Sequence, residues 1–139
     1  MKNTKEEEEK MRKELWIMTV SQFYFGNTWH GTPAVYLSGA ITGTDDYREV
    51  GFTVPDRGPG RHRFHEFIRG MRTGINFEEL FKAKDYEQVC RKLTEWAQMN
   101  NAVLMFEETE DNGYPRYNIL GVYTNADGGV INYGWKRTA

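Results

Sequence analysis

The apolar residues of this chain change their spacing twice. Val50, Phe52 and Val54 alternate, the period-2 signature of a half-buried strand. Beyond the next loop Phe64, Phe67, Ile68 and Met71 recur at i, i+3, i+4 and i+7, one face of an amphipathic helix. After Asn100–Asn101 the texture returns to strand. Strands kept to both ends and helices kept to the middle do not make alternating βαβ units, so the pattern predicts an α+β fold of antiparallel strands.

Individual elements follow from local signals. Trp16–Phe25 and Ala34–Ile41 are rich in β-branched and aromatic residues, separated by a turn with Gly26, Asn27, Gly31 and Pro33. Arg48–Val54 is the third strand, stopped by Pro55, which cannot donate to a ladder. The spacing predicts two central helices. One covers 62–72; the other, opened by Asp85 with Gln88, carries Tyr86, Val89, Leu93, Trp96 and Ala97 on one side. Asn76 with Glu79 opens a short turn between them. Val103–Phe106, Tyr117–Thr124 and Val130–Trp135 form a meander, with turn chemistry at Asp111-Asn112-Gly113 and Asp127-Gly128-Gly129. Residues 1–14 read as an acidic, solvated N-terminal helix laced by Glu6–Lys10, Glu8–Arg12 and Glu9–Lys13 pairs, and 15–139 as one α+β domain.

The 139 residues fit a single core, and 39% apolar with 27% charged residues is ordinary globular composition. A net charge of −2 gives no general attraction to nucleic acid or anionic lipid. The single cysteine, Cys90, excludes an internal disulfide and a cysteine-rich zinc site. No run nears the roughly 18–20 apolar residues that span a bilayer. An acidic start differs from a signal peptide, so a cytoplasmic protein with no membrane partner is expected.

Asp56-Arg57-Gly58-Pro59-Gly60-Arg61-His62-Arg63 holds the chemistry most worth following. A glycine-rich loop that feeds a helix start offers unpaired N–H groups to an anion. Arg57, Arg61 and Arg63 add planar donors suited to phosphate or carboxylate. Arg61, His65, Arg69 and Arg72 read as a basic stripe opposite the phenylalanine face. Trp16 and Trp29 are candidates to stack on a ring of the ligand. His62 and His65 form only a weak His-x-x-His pair with no third metal ligand, so no metal and no cofactor are expected. Aromatic residues reach 14%, which suits core and binding surfaces alike. No nucleophile–base constellation is recognisable, and Cys90 reads as a small core residue; no catalytic residues are assigned, which favours binding over catalysis.

Val35-Tyr36-Leu37-Ser38-Gly39-Ala40-Ile41-Thr42-Gly43 resembles the first strand and glycine turn of nucleoside 2-deoxyribosyltransferase-like proteins, where the turn meets a nucleotide. The resemblance implies a nucleoside-processing enzyme; it ends at Gly43, because Gly51, Pro55 and Pro59 interrupt the stretch where that family's helix follows. Architecturally, small aromatic-rich α+β chains also resemble phage-encoded inhibitors of host defence, some of which sequester nucleotide signals. The preferred expectation is thus a non-enzymatic, phage- or mobile-element-encoded anti-defence protein. It would hold a phosphorylated or nucleotide-like small ligand on Arg57, Arg61, Arg63, Arg69, Trp16 and Trp29. A protein–protein inhibitor is the alternative, with Glu6–Glu9 or Glu107–Asp111 imitating a nucleic-acid backbone toward a host complex. Homo-oligomerisation stays open.

Overall fold

A computed structural model describes residues 14–56, 59–125 and 131–136. Three strands come first: β1 (Glu14–Asn27), β2 (Pro33–Ile41) and β3 (Tyr47–Thr53). Three helices follow, α1 (Pro59–Gly70), the short α2 (Glu78–Lys82) and α3 (Tyr86–Met99). The chain then returns to strand in β4 (Val103–Asp111), β5 (Tyr114–Asn125) and β6 (Ile131–Lys136). All six strands join one antiparallel sheet in the order β3-β2-β1-β4-β5-β6. The α+β class, the strand blocks and the two longer central helices are as the periodicity implies, while the turn expected after Asn76 leads into the additional short helix α2. The expected N-terminal helix lies outside the described residues, except Glu14, which opens β1 instead.

α1 touches both edge strands, β3 and β6. Laid flat, those edges would stand five spacings of about 4.8 Å apart, roughly twice the width of one helix. The sheet therefore curls around the helical layer. Met18, Val20 and Phe23 of β1, Val35 and Leu37 of β2, and Leu104 and Phe106 of β4 meet Phe64, Phe67, Val89 and Leu93 inside the curl.

β1 changes face midway. Val20 pairs with Gly39 and Gln22 with Ser38, which leaves Ser21 as a bulge. The bulge moves the inward set from the even residues Met18 and Val20 to the odd residue Phe23. Gly39 is required there, since a Cβ on it would stand 1.8 Å from the Thr19 carbonyl oxygen. β4 pairs with β1 only as far as Thr19. The remaining edge of β1 is satisfied by α3: Phe23 N donates to Thr94 Oγ1 at 2.9 Å, and Gln98 Nε2 donates to the Ser21 carbonyl at 3.1 Å. Between β4 and β5, Asn112 and Gly113 both take positive φ (53° and 84°), the two-residue hairpin turn that Asn-Gly favours.

Among the described residues no helix is long and apolar enough to cross a membrane.

Candidate functional site at the start of α1

α1 begins three residues earlier than its apolar spacing implies. Pro59 occupies the first helical position, where its missing N–H costs nothing. Gly60 lies flush on the end of β3; a Cβ there would sit 2.5 Å from Thr53 Oγ1 and 2.6 Å from the Thr53 carbonyl oxygen. The glycines of this stretch thus seat a helix on a strand as well as making a loop. Lys84 Nζ, 2.7 Å from Asp56 Oδ1, ties the approach to α1 to the α2–α3 junction. Arg57, an expected ligand contact, lies outside the described residues.

Behind this start sits a polar group that the sequence pattern does not reveal. His65 and Tyr86 are both buried, at 9% and 4% exposure, with His65 Nε2 and the Tyr86 hydroxyl oxygen 3.1 Å apart. The charge of the Arg61 guanidinium also acts on the Tyr86 hydroxyl. Imidazole and phenol share one hydrogen bond, whose direction follows the imidazole tautomer. The surroundings favour the neutral imidazole. Burial above all, and then Arg61 and Arg69, hold its pKa below the ordinary value. Burial likewise raises the Tyr86 hydroxyl's pKa, against the pull of Arg61. The imidazole lies flat on Phe81, ring centres 3.8 Å apart and planes 8° from parallel.

His65 is therefore not part of an exposed basic stripe. At 100° per residue Arg61 and His65 border the apolar arc of Phe64, Phe67 and Ile68 rather than opposing it. His62 points elsewhere, exposed and 3.5 Å from Glu66, and no group of three metal-ligating side chains occurs among the described residues.

The expected ligand contacts separate into three places. Arg61 and the exposed Arg63 lie in the first turns of α1. Trp29 joins them at that end of the molecule. Its turn is closed by Thr28 N to the Thr32 carbonyl (2.8 Å), and the neighbouring Pro33 carbonyl accepts from Val54 N (2.8 Å), just before the loop into α1. Trp29 is 89% exposed, and its ring centre lies 3.6 Å from that of His30. Arg69 is toward the far end of α1. Its Nε and Nη2 bond both carboxylate oxygens of Glu78, at 3.0 and 3.3 Å, which lowers the Glu78 pKa. It borders a shallow pocket of about 120 Å³ with Arg72, Ile75 and Phe77, and the Glu78 carboxylate already holds its fork.

Trp16 stands in the other half of β1. Its indole N–H donates to Glu108 Oε2 at 3.0 Å, and the Arg48 guanidinium carbon lies 5.7 Å from its ring centre. Glu108 also helps raise the Tyr117 pKa and stands 3.9 Å from Arg48 Nε. One carboxylate thus gathers three side chains from β1, β3 and β5. Glu108 belongs to the acidic run 107–111, so that run is not a uniformly outward-facing acidic surface.

Cys90 is buried, and burial together with Glu87 pushes its thiol up to about 12, so it stays protonated. Val35–Gly43 forms β2 and the turn after it, between two antiparallel neighbours. No helix follows. No family model, curated protein or solved structure matches the chain.

Proposed function

We propose that the protein is a small non-enzymatic cytoplasmic binding protein that sequesters a phosphorylated or nucleotide-like molecule at the start of α1. The observation that carries this reading is the placement of the 89%-exposed Trp29 at the same end as Arg61 and Arg63. An indole left in water has a face to offer a base or other flat ring, and the guanidiniums and first-turn N–H groups suit an anion. Arg61 is the inner contact, near enough to Tyr86 for its charge to act on that hydroxyl. Arg63 and Trp29 supply the outer contacts. Trp16 and Arg69 fall outside the site, each already paired with a carboxylate.

Binding without turnover suits sequestration, the mode expected of a phage- or mobile-element-encoded anti-defence inhibitor. Native mass spectrometry of gently purified protein tests the reading. A small anionic adduct, released on denaturation and restored by adding the compound back, is the expected result. The bare protein mass after incubation with a panel of nucleotides and sugar phosphates would contradict it.

A further inference from the structure

The sheet face away from the helices carries a second cluster, unrelated to α1. Glu49, Ser38 and Gln22 are directly paired across β3, β2 and β1, and Gly51, Tyr36 and Tyr24 form the next row on the same face. The Tyr24 and Tyr36 rings stack with centres 5.2 Å apart. The Tyr24 hydroxyl donates to Glu49 Oε1, reaching across β2 above Ser38. Tyr47, 59% exposed, bridges in the same way to the bulged Ser21, with 3.0 Å between their hydroxyl oxygens. Burial and Glu49 push the Tyr24 hydroxyl up to about 12, so it stays a neutral donor.

Two features of this cluster are unsatisfied. Glu49 has no ion-pair partner among the described residues; its neighbour Arg48 is on the other face with Glu108. Ser38 is 4% exposed, yet its hydroxyl is buried without a hydrogen-bond partner. A buried hydroxyl left unpaired is uncommon and costs stability. Carboxylate, tyrosine faces and a spare hydroxyl acceptor share one preference, a flat cation with several N–H donors. Guanidinium fits it better than ammonium, since it stacks on an aromatic ring while its fork meets a carboxylate. The Glu49 carboxylate repels an anion.

We infer that the Tyr24–Tyr36–Ser38–Glu49 cluster is a binding site for a guanidinium group. The cation lies against the tyrosine rings and donates to Glu49, with Ser38 Oγ as a further acceptor once the Tyr24–Glu49 bridge moves aside. It reaches the site either as a free small molecule or as the arginine side chain of a peptide.

The test is a titration of the full chain with capped arginine amide, following the tyrosine ring signals by NMR. Capped citrulline amide, nearly isosteric and neutral, serves as control. Saturable shifts at Tyr24 and Tyr36 with arginine and none with citrulline are expected. Glu49→Gln, an exposed change that keeps an acceptor for Tyr24, should weaken binding by about tenfold or more while the protein stays folded. Ser38→Ala should weaken it less. Methylguanidine and an arginine-containing peptide separate the two sources: equal affinity indicates a free ligand, and much tighter peptide binding indicates a chain. Equal shifts with citrulline, no saturable shift in the folded protein, or unchanged binding in Glu49→Gln would overturn the assignment.

Discussion

His65 Nε2 and the Tyr86 hydroxyl meet 3.1 Å apart inside the helical layer, with the Arg61 charge acting on the tyrosine. That bond joins α1 to α3 behind the proposed ligand site.

That arrangement gives folding a pH dependence with a definite sign. The charged and titratable groups acting on His65 are Arg61, Arg69 and His62, which oppose its protonation, and Glu78, which favours it, but burial is the largest influence. The folded chain therefore holds this proton more weakly than the unfolded chain, whose imidazole titrates near 6.5. The stabilisation is present above that value and is lost as pH falls through the lower folded-state value. Urea unfolding at pH 8 and pH 5 should show a lower midpoint in acid. In His65→Phe, which cannot bind that proton, the acid sensitivity should shrink; an undiminished midpoint shift would contradict the assignment.

Tyr86→Phe keeps the ring against Phe25 and Phe64 but leaves His65 Nε2 without its partner. A loss of about 1–3 kcal/mol is expected from one buried group left unsatisfied. Denaturant unfolding at pH 8 reads it directly, and a variant as stable as the parent would show that the hydroxyl contributes nothing.

Glu108→Ala removes the acceptor of Trp16 and a carboxylate that acts on Tyr117. The site is partly open to water, so the cost should be near the low end for lost charge-assisted bonds, roughly 1–2 kcal/mol. Burial and Glu108 both raise the Tyr117 pKa, so its phenol should titrate at lower pH in the variant. Ultraviolet phenolate titration measures that shift; an unchanged Tyr117 titration would separate it from Glu108.

On α3, Leu93 is fully buried while Trp96 only packs against the margin of the core. Leu93→Ala should cost about 2–5 kcal/mol. Trp96→Ala should cost less than the roughly 3–5 kcal/mol of a fully buried aromatic. The reverse order in thermal unfolding would mean that the helix face is rotated from its described position.

The legible part of this molecule is what repeats locally. The alternation of Val50, Phe52 and Val54 and the helical spacing of Phe64, Phe67, Ile68 and Met71 each record one buried face, and both elements form. Gly58-Pro59-Gly60 reads as loop because the reason for Gly60, contact with Thr53, comes from the neighbouring strand. His65 reads as surface because the groups that bury and bond it, Phe81 and Tyr86, belong to later helices. Trp16 reads as a free stacking surface because its acceptor, Glu108, is 92 positions away. The Ser21 bulge, which decides which residues of β1 face inward, leaves no simple mark on the pattern.

Thermal unfolding of the parent, Trp29→Ala and Arg61→Ala against nucleotides and sugar phosphates tests the ligand site most directly. A cognate compound at about a hundredfold its dissociation constant should stabilise the parent by roughly 2.7 kcal/mol. Trp29→Ala should leave the free protein's melting temperature nearly unchanged, since its side chain is almost wholly in water, and should lose much of the response. Arg61→Ala should lose nearly all of it. An equal response in all three proteins, or none in any across the panel, would contradict a site built from Trp29 and Arg61.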